Sequence, residues 1–123
     1  MEKQAAMEKK VQLSWYLAFY GEMLKDNQRE IARLYFEEDY SLGEIAQQFS
    51  VSRQSIHDTV SRVEKTLTDF ETKLGLAARF ERLEKGLQAC GEALEKVTPT
   101  DESKQHLQNA RNIIGALLAQ EDM

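Results

Sequence analysis

The stretch Ser41–Leu67, SLGEIAQQFSVSRQSIHDTVSRVEKTL, decides how this chain folds. Ser41 with Glu44 three residues on reads as a capping box, in which the hydroxyl and the carboxylate each satisfy an amide at a helix start. A short helix, Leu42 to Phe49, then presents Leu42, Ile45, Ala46 and Phe49 on one face. Ser50-Val51-Ser52 reads as a tight turn with Val51 tucked inward, and Ser52 as the cap of a second helix. Two helices that cross closely need a small residue at the crossing and aliphatic anchors beside it. Ala46, with Ile45 and Ile56, meets that need, so the stretch is expected to be a helix-turn-helix. Many such turns carry Gly where this one carries Ser50.

Working outward, Ile56, Val60, Val63, Leu67, Phe70 and Leu74 repeat at spacings of 4, 3, 4, 3 and 4. This is one long amphipathic helix, and Gly75 is placed to end it. A fifth helix repeats the spacing with Leu76, Phe80, Leu83, Leu87, Cys90, Leu94 and Val97. Thr98-Pro99-Thr100 interrupts it, and Thr100 or Asp101 is expected to cap a last helix carrying Leu107, Ala110, Ile114 and Leu117. Upstream, a helix from about Glu8 to Leu24 has apolar residues in more than one stripe, which predicts cover on two sides. Asp26 or Asn27 is expected to cap the next helix, whose core face is Ile31, Leu34, Tyr35 and Phe36, before the acidic turn of Glu37 to Tyr40. No stretch alternates with period two, so the fold class is all-α.

Composition narrows the function. With 16 Lys and Arg against 21 Asp and Glu in 123 residues, the net charge is 16 − 21 = −5. A protein that is basic throughout is excluded, so any nucleic-acid binding must use a local face. A single cysteine, Cys90, allows no intrachain disulfide and no thiolate metal cluster. Cys90 falls on the heptad stripe and is expected to be a buried, inert thiol. His57 and His106 lie on different helices without metal-ligand spacing to any His or Cys. The glycines are scattered and form no phosphate loop. Nothing implies a catalytic residue, a metal or a cofactor, so no enzyme is expected. There is no signal-peptide core and no run near the roughly 20 apolar residues of a membrane span, so a cytoplasmic protein without membrane insertion is expected.

If the second helix of the motif enters a groove, Arg53, Gln54, His57 and Ser61 fall on or near its exposed face. Arg53 suits guanine edges and Gln54 adenine. Arg62 and Lys65, further along, and Arg29 and Arg33, on the preceding helix, suit phosphates. Against this, Arg53, Arg62 and Lys65 are balanced within Ser41–Leu67 by Glu44, Asp58 and Glu64, giving 3 − 3 = 0. A solvated mixed-charge face has the same composition, and Asp58 in mid-helix repels phosphate.

The segment from Asp26 to Leu67 resembles region 4 of bacterial sigma factors, which reads the −35 promoter element. Together with the upstream LAFYGEMLKDNQRE and the downstream FETKLGL, it resembles the YlxM family of small bacterial helix-turn-helix proteins encoded beside signal recognition particle genes. The resemblance runs from Leu13 to Leu76 and rests on FYGEML, NQRE, SLGEIA and VSRQSIHD in that order. It implies a regulatory protein of the signal recognition particle pathway, binding DNA or particle RNA, with particle proteins as further partners. By position it assigns Arg53, Gln54, His57 and Arg62 to nucleic acid. The chain has no room for the sigma region that opens promoter DNA. From Ala77 onward no motif matches.

The expected organisation is a helix-turn-helix domain at 1–75 and a helical hairpin at 76–123 serving dimerisation or packing. A heptad stripe as long as Leu76–Val97 needs a partner, so a homodimer is expected. It would give the motif two half-sites roughly 34 Å apart. The competing reading is a protein-interaction adaptor that keeps the helix-turn-helix without binding nucleic acid.

Overall fold

A computed structural model describes the backbone of residues 2–121 and the side chains of residues 8–119. The described residues form helices, with no strand among them: α1 Glu2–Tyr20, α2 Asp26–Ala32, α3 Leu42–Phe49, α4 Arg53–Leu74, α5 Leu76–Glu95 and α6 Lys104–Glu121. The all-α expectation is met. The chain divides into two compact units, 1–77 and 78–123.

In the first unit, α1 contributes Leu13, Leu17 and Tyr20 to the core and then tightens into a single 3-10 turn, Gly21–Met23. Within this unit the packing falls on one side of α1, and Val11 on the other side is 69% exposed. Capping of α2 differs from expectation. Its N-cap is Lys25 in extended conformation with no side-chain bond, and Asp26 lies inside the first turn.

The second helix does not stop at Ala32. It continues as a π turn, Arg33–Glu37, closed by the Glu38 amide on the Arg33 carbonyl at 3.1 Å. The wider winding turns the chain less per residue than an α-helix. Leu34 and Phe36, only two positions apart, are both buried, and Tyr35 between them is half-buried. Asp39 reverses the chain at φ 59°, a conformation that a short polar side chain tolerates.

The capping box at Ser41 forms as expected. The Glu44 amide donates to Ser41 Oγ and the Ser41 amide to Glu44 Oε1, both at 3.1 Å. Ile45 and Ala46 are buried on α3, and Ile56, Val60, Val63 and Leu67 form the buried stripe of α4. Between the helices Ser50 is left-handed, at φ 56° and ψ 44°. The Val51 amide returns to the Ala46 carbonyl at 3.0 Å, the long bond of a Schellman closure. The geometry places the Val51 backbone in the turn but leaves its side chain 45% exposed, which corrects the inward placement. A β-carbon in the left-handed region costs about 1 kcal/mol. Ser50→Gly is therefore expected to raise the stability of the unit by about 0.5–1 kcal/mol, read as a higher urea midpoint at unchanged slope.

In the second unit the α5–α6 connection is capped by Thr100, whose Oγ1 accepts from the Ser103 amide at 3.1 Å while its own amide donates to Ser103 Oγ at 2.9 Å. One turn later α6 begins. The helices run antiparallel: Arg111 donates to the Leu94 carbonyl at 3.3 Å, and Gly91 lies against Ile114. Phe80, Leu87 and Leu94 are half-buried, whereas Cys90 is exposed. The buried thiol expected from the stripe is thus not found, because α6 covers only one of the two heptad rows of α5.

Candidate nucleic-acid interface

Helix α4 opens on Ser52, whose Oγ accepts from the Ser55 amide at 3.0 Å. The buried stripe fixes the rotation of the helix. At about 100° per residue, the arc opposite that stripe runs through Gln54, Asp58, Ser61 and Lys65. Arg53 and His57 lie at one edge of this arc and Arg62 at the other. Arg53 and Arg62, nine positions apart, point about 180° from each other. The structure therefore does not gather the two arginines into one patch. They flank a helix whose centre is polar and uncharged or acidic.

All the candidate side chains on α4 are exposed, and their pairing separates them. The carboxamide of Gln54 donates to Asp58 Oδ1 at 2.9 Å, which occupies the residue proposed for adenine. His57 Nδ1 lies 3.7 Å from the same carboxylate. Lys65 is held by Asp69 at 2.9 Å. His57 and Ser61 line a cleft of about 170 Å³ between α1 and α4, along with Lys9 and Tyr35. Across that cleft Lys9 pairs with Glu64, and this contact raises the Lys9 pKa above its ordinary value. Among the described residues, Arg53 and Arg62 make no ion pair.

The candidates on the preceding helix divide in the same way. Arg33 is clamped between Glu30 at 2.7 Å and Glu38 at 3.2 Å. Its bond to Glu30 raises the Arg33 pKa and lowers that of Glu30. Arg29 is exposed and has no ion pair among the described residues. Of the basic candidates, Arg29, Arg53 and Arg62 are available without first breaking a pair. Gln47 and Gln48 are also exposed on α3 beside the turn and, being uncharged, carry no basic signal in the sequence. The first helix of such a motif crosses the backbone, where neutral amides also serve.

The pairing changes the local electrostatics. Glu64 is matched by Lys9 from α1, and Glu44 is turned back onto its own helix start. What faces outward from the motif is Arg53 and Arg62 with Asp58 between them, not the balanced set that the sequence count suggests.

A helix-turn-helix built this way invites comparison with known chains. Residues 7–110 match the family model UPF0122, described as "Putative helix-turn-helix protein, YlxM / p13 like". The chain belongs to this family. Among its relatives, the UPF0122 protein of Halalkalibacterium halodurans is 38% identical over 96 residues, covering 78% of this chain and 88% of the relative. That of Limosilactobacillus fermentum is 39% identical over 101 residues, 82% of this chain and 89% of its own. That of Oceanobacillus iheyensis is 36% identical over 107 residues, 87% and 98% of the two chains. No solved structure matches the chain. The family match runs beyond Leu76, where the sequence resemblance stopped, so α5 and part of α6 belong to the family too. The family is one of helix-turn-helix proteins, and its description names no reaction. No described helix is long and apolar enough to cross a membrane.

Proposed function

We propose that this UPF0122 chain is a non-enzymatic regulatory protein that docks the 52–65 segment on nucleic acid, DNA or particle RNA, and takes part in the signal recognition particle pathway. The observation that carries the docking is the pairing pattern: Glu44 and Glu64 are matched within the fold, while Arg53 and Arg62, at the two edges of α4, make no ion pair among the described residues. A helix lying in a groove has phosphates on both sides. Arginines about 180° apart reach both walls, and the helix start between Ser52 and Ser55 adds a positive end. The pathway link is supported by the YlxM resemblance of FYGEML, NQRE, SLGEIA and VSRQSIHD. In the same reading the 76–123 hairpin joins two copies, which doubles the contacts of a face too weakly charged to hold a duplex alone.

The test is fluorescence anisotropy of the full chain against random duplex DNA and signal recognition particle RNA, each at two salt concentrations. Salt-sensitive binding is expected. Arg53→Ala with Arg62→Ala should weaken it about tenfold or more and flatten the salt slope by about two. Binding that survives the double substitution with the same slope overturns the docking helix. Absence of binding to either at low salt favours the other reading, a protein-interaction adaptor. Asp58 at the centre of the exposed arc is the observation on its side.

A further inference from the structure

The cleft of about 170 Å³ in the first unit is bounded by α1, the π turn and α4. Its floor is apolar, made by the buried Leu13, Phe36 and Val60. Its rim is polar, with Lys9 and Lys10 from α1 and His57 and Ser61 from α4. Tyr35 and Phe36, consecutive residues of the π turn, both line it. Turns of this kind recur at functional sites. A drug-sized ligand needs a pocket of roughly 300–1,000 Å³, so this cleft suits a single flat ring and not a larger molecule.

The cleft opens beside the docking face. His57 lies at the Arg53 edge of the exposed arc of α4, and Ser61 follows one turn later. A second groove, lined by Lys9, Ser61, Glu64 and Lys65, continues along the same flank. A strand lying along the exposed arc therefore passes the mouth of the cleft.

The two lysines of α1 put positive charge at that mouth. Lys9 is held by Glu64, and Lys10 by Asp39 at 3.1 Å. The Lys10 ammonium also lies 4.2 Å from the centre of the Tyr35 ring. An ammonium has three donors, so one carboxylate does not exhaust it. Both pairs are at the surface, where exchanging a carboxylate for a phosphate costs little.

An apolar floor, rings from two elements and a cationic rim together match the parts of a nucleotide. We propose that the cleft takes one unpaired nucleotide of the docked strand, its base on the floor beside Tyr35 and His57 and its phosphate at Lys9 and Lys10. A base inside a duplex is stacked on both faces and cannot enter. A bulged or looped base can, and rings such as those of Tyr and His receive it. Loops and bulges are where RNA offers such bases. The inference rests on the docking reading above and narrows its nucleic acid to one with an unpaired nucleotide beside the site held by α4.

The test is fluorescence anisotropy of the full chain with four probes: an RNA duplex and a DNA duplex, each fully paired or carrying one bulged pyrimidine. Bulged RNA is expected to bind about tenfold or more tightly than paired RNA. Tyr35→Leu keeps an apolar side chain but removes the ring. It should bring the two RNAs within about twofold of each other and leave the affinity for paired RNA unchanged. Lys10→Gln, on α1 and outside the docking face, should reduce the preference by about threefold or more. Circular dichroism checks that both variants keep their helices, and Lys10→Gln decides alone where Tyr35→Leu does not. Equal binding of bulged and paired probes by the wild type overturns the cleft and leaves the docking helix standing. A preference that survives in folded variants does the same. Absence of binding to all four probes overturns the docking reading, and this inference with it.

Discussion

Leu67→Ala is expected to destabilise the first unit by about 2–5 kcal/mol, while Leu74→Ala on the same stripe changes stability by no more than about 0.5 kcal/mol. The two leucines sit seven residues apart at equivalent heptad positions. Leu67 is 0% exposed within the cluster that joins α1, α3 and α4, whereas Leu74 is 52% exposed at the far end of α4. Removing the Leu67 side chain loses its transfer free energy and leaves a cavity whose walls belong to several helices and cannot all close in. A unit of this size has a total stability on the order of 4–12 kcal/mol, so the loss brings it close to unfolding at physiological temperature. Urea unfolding followed by circular dichroism of both variants checks the contrast. Equal effects would mean that the stripe acts as a uniform seam.

Tyr20→Phe is expected to cost about 1–3 kcal/mol although the ring and its packing are kept. The Tyr20 side chain is wholly buried, and its ring stacks on Phe70 with centroids 5.7 Å apart. The hydroxyl donates to Glu71 Oε1 at 2.6 Å and accepts from the Leu76 amide at 3.2 Å. The same carboxylate oxygen accepts from the Ala77 amide at 3.0 Å. Without the hydroxyl, the Leu76 amide loses its acceptor and the Glu71 carboxylate a donor. Burial, then the bond to Glu71, raises the Tyr20 pKa above its ordinary value near 10. A proton held more tightly in the folded state stabilises below the unfolded pKa and stops doing so as pH rises through the folded one. Wild-type stability should therefore fall above about pH 10, more steeply than that of Tyr20→Phe. Tyr16, raised by burial and then by the Glu71 charge, and Lys9, raised by Glu64, leave a residual slope in the variant. Urea midpoints at pH 7, 9 and 10.5 separate the two chains. Parallel curves would show that the phenol is not the group titrating.

Much of the helix-turn-helix was legible because its signals are local. Ser41 with Glu44, Ser52 and Gly75 each act within one helical turn, so residue type alone decides what they do. Leu42–Phe49 was bounded by such signals on both sides. The π turn was not legible, since a single extra residue of winding leaves the apolar spacing of Ile31, Leu34 and Phe36 ambiguous. Val51 was misplaced because a turn fixes the backbone before it fixes the side chain. Cys90 was misplaced because a heptad names two rows and not which of them finds a partner. At the candidate interface the residue types were readable, but their availability was not. It depends on Asp69, Glu30, Glu38 and Asp58 being near enough to occupy Lys65, Arg33 and Gln54. Pairing at long range, as between Lys9 and Glu64, leaves no trace in spacing.

The bonds from Tyr20 and Glu71 also decide where the first folding module ends. Helix α5 does not supply its own N-terminal cap. Its leading amides, on Leu76 and Ala77, are received by a phenol from α1 and a carboxylate from α4. The glycine at position 75 looks like a boundary, yet the two residues after it plug into a socket built by residues 5 and 56 positions upstream of Leu76. A chain severed at Gly75 would leave that socket empty, with the buried Tyr20 hydroxyl and the half-buried Glu71 carboxylate each losing one donor. One severed after Ala77 would keep it filled. Whatever helices follow Ala77, the first module sets the residue from which they start.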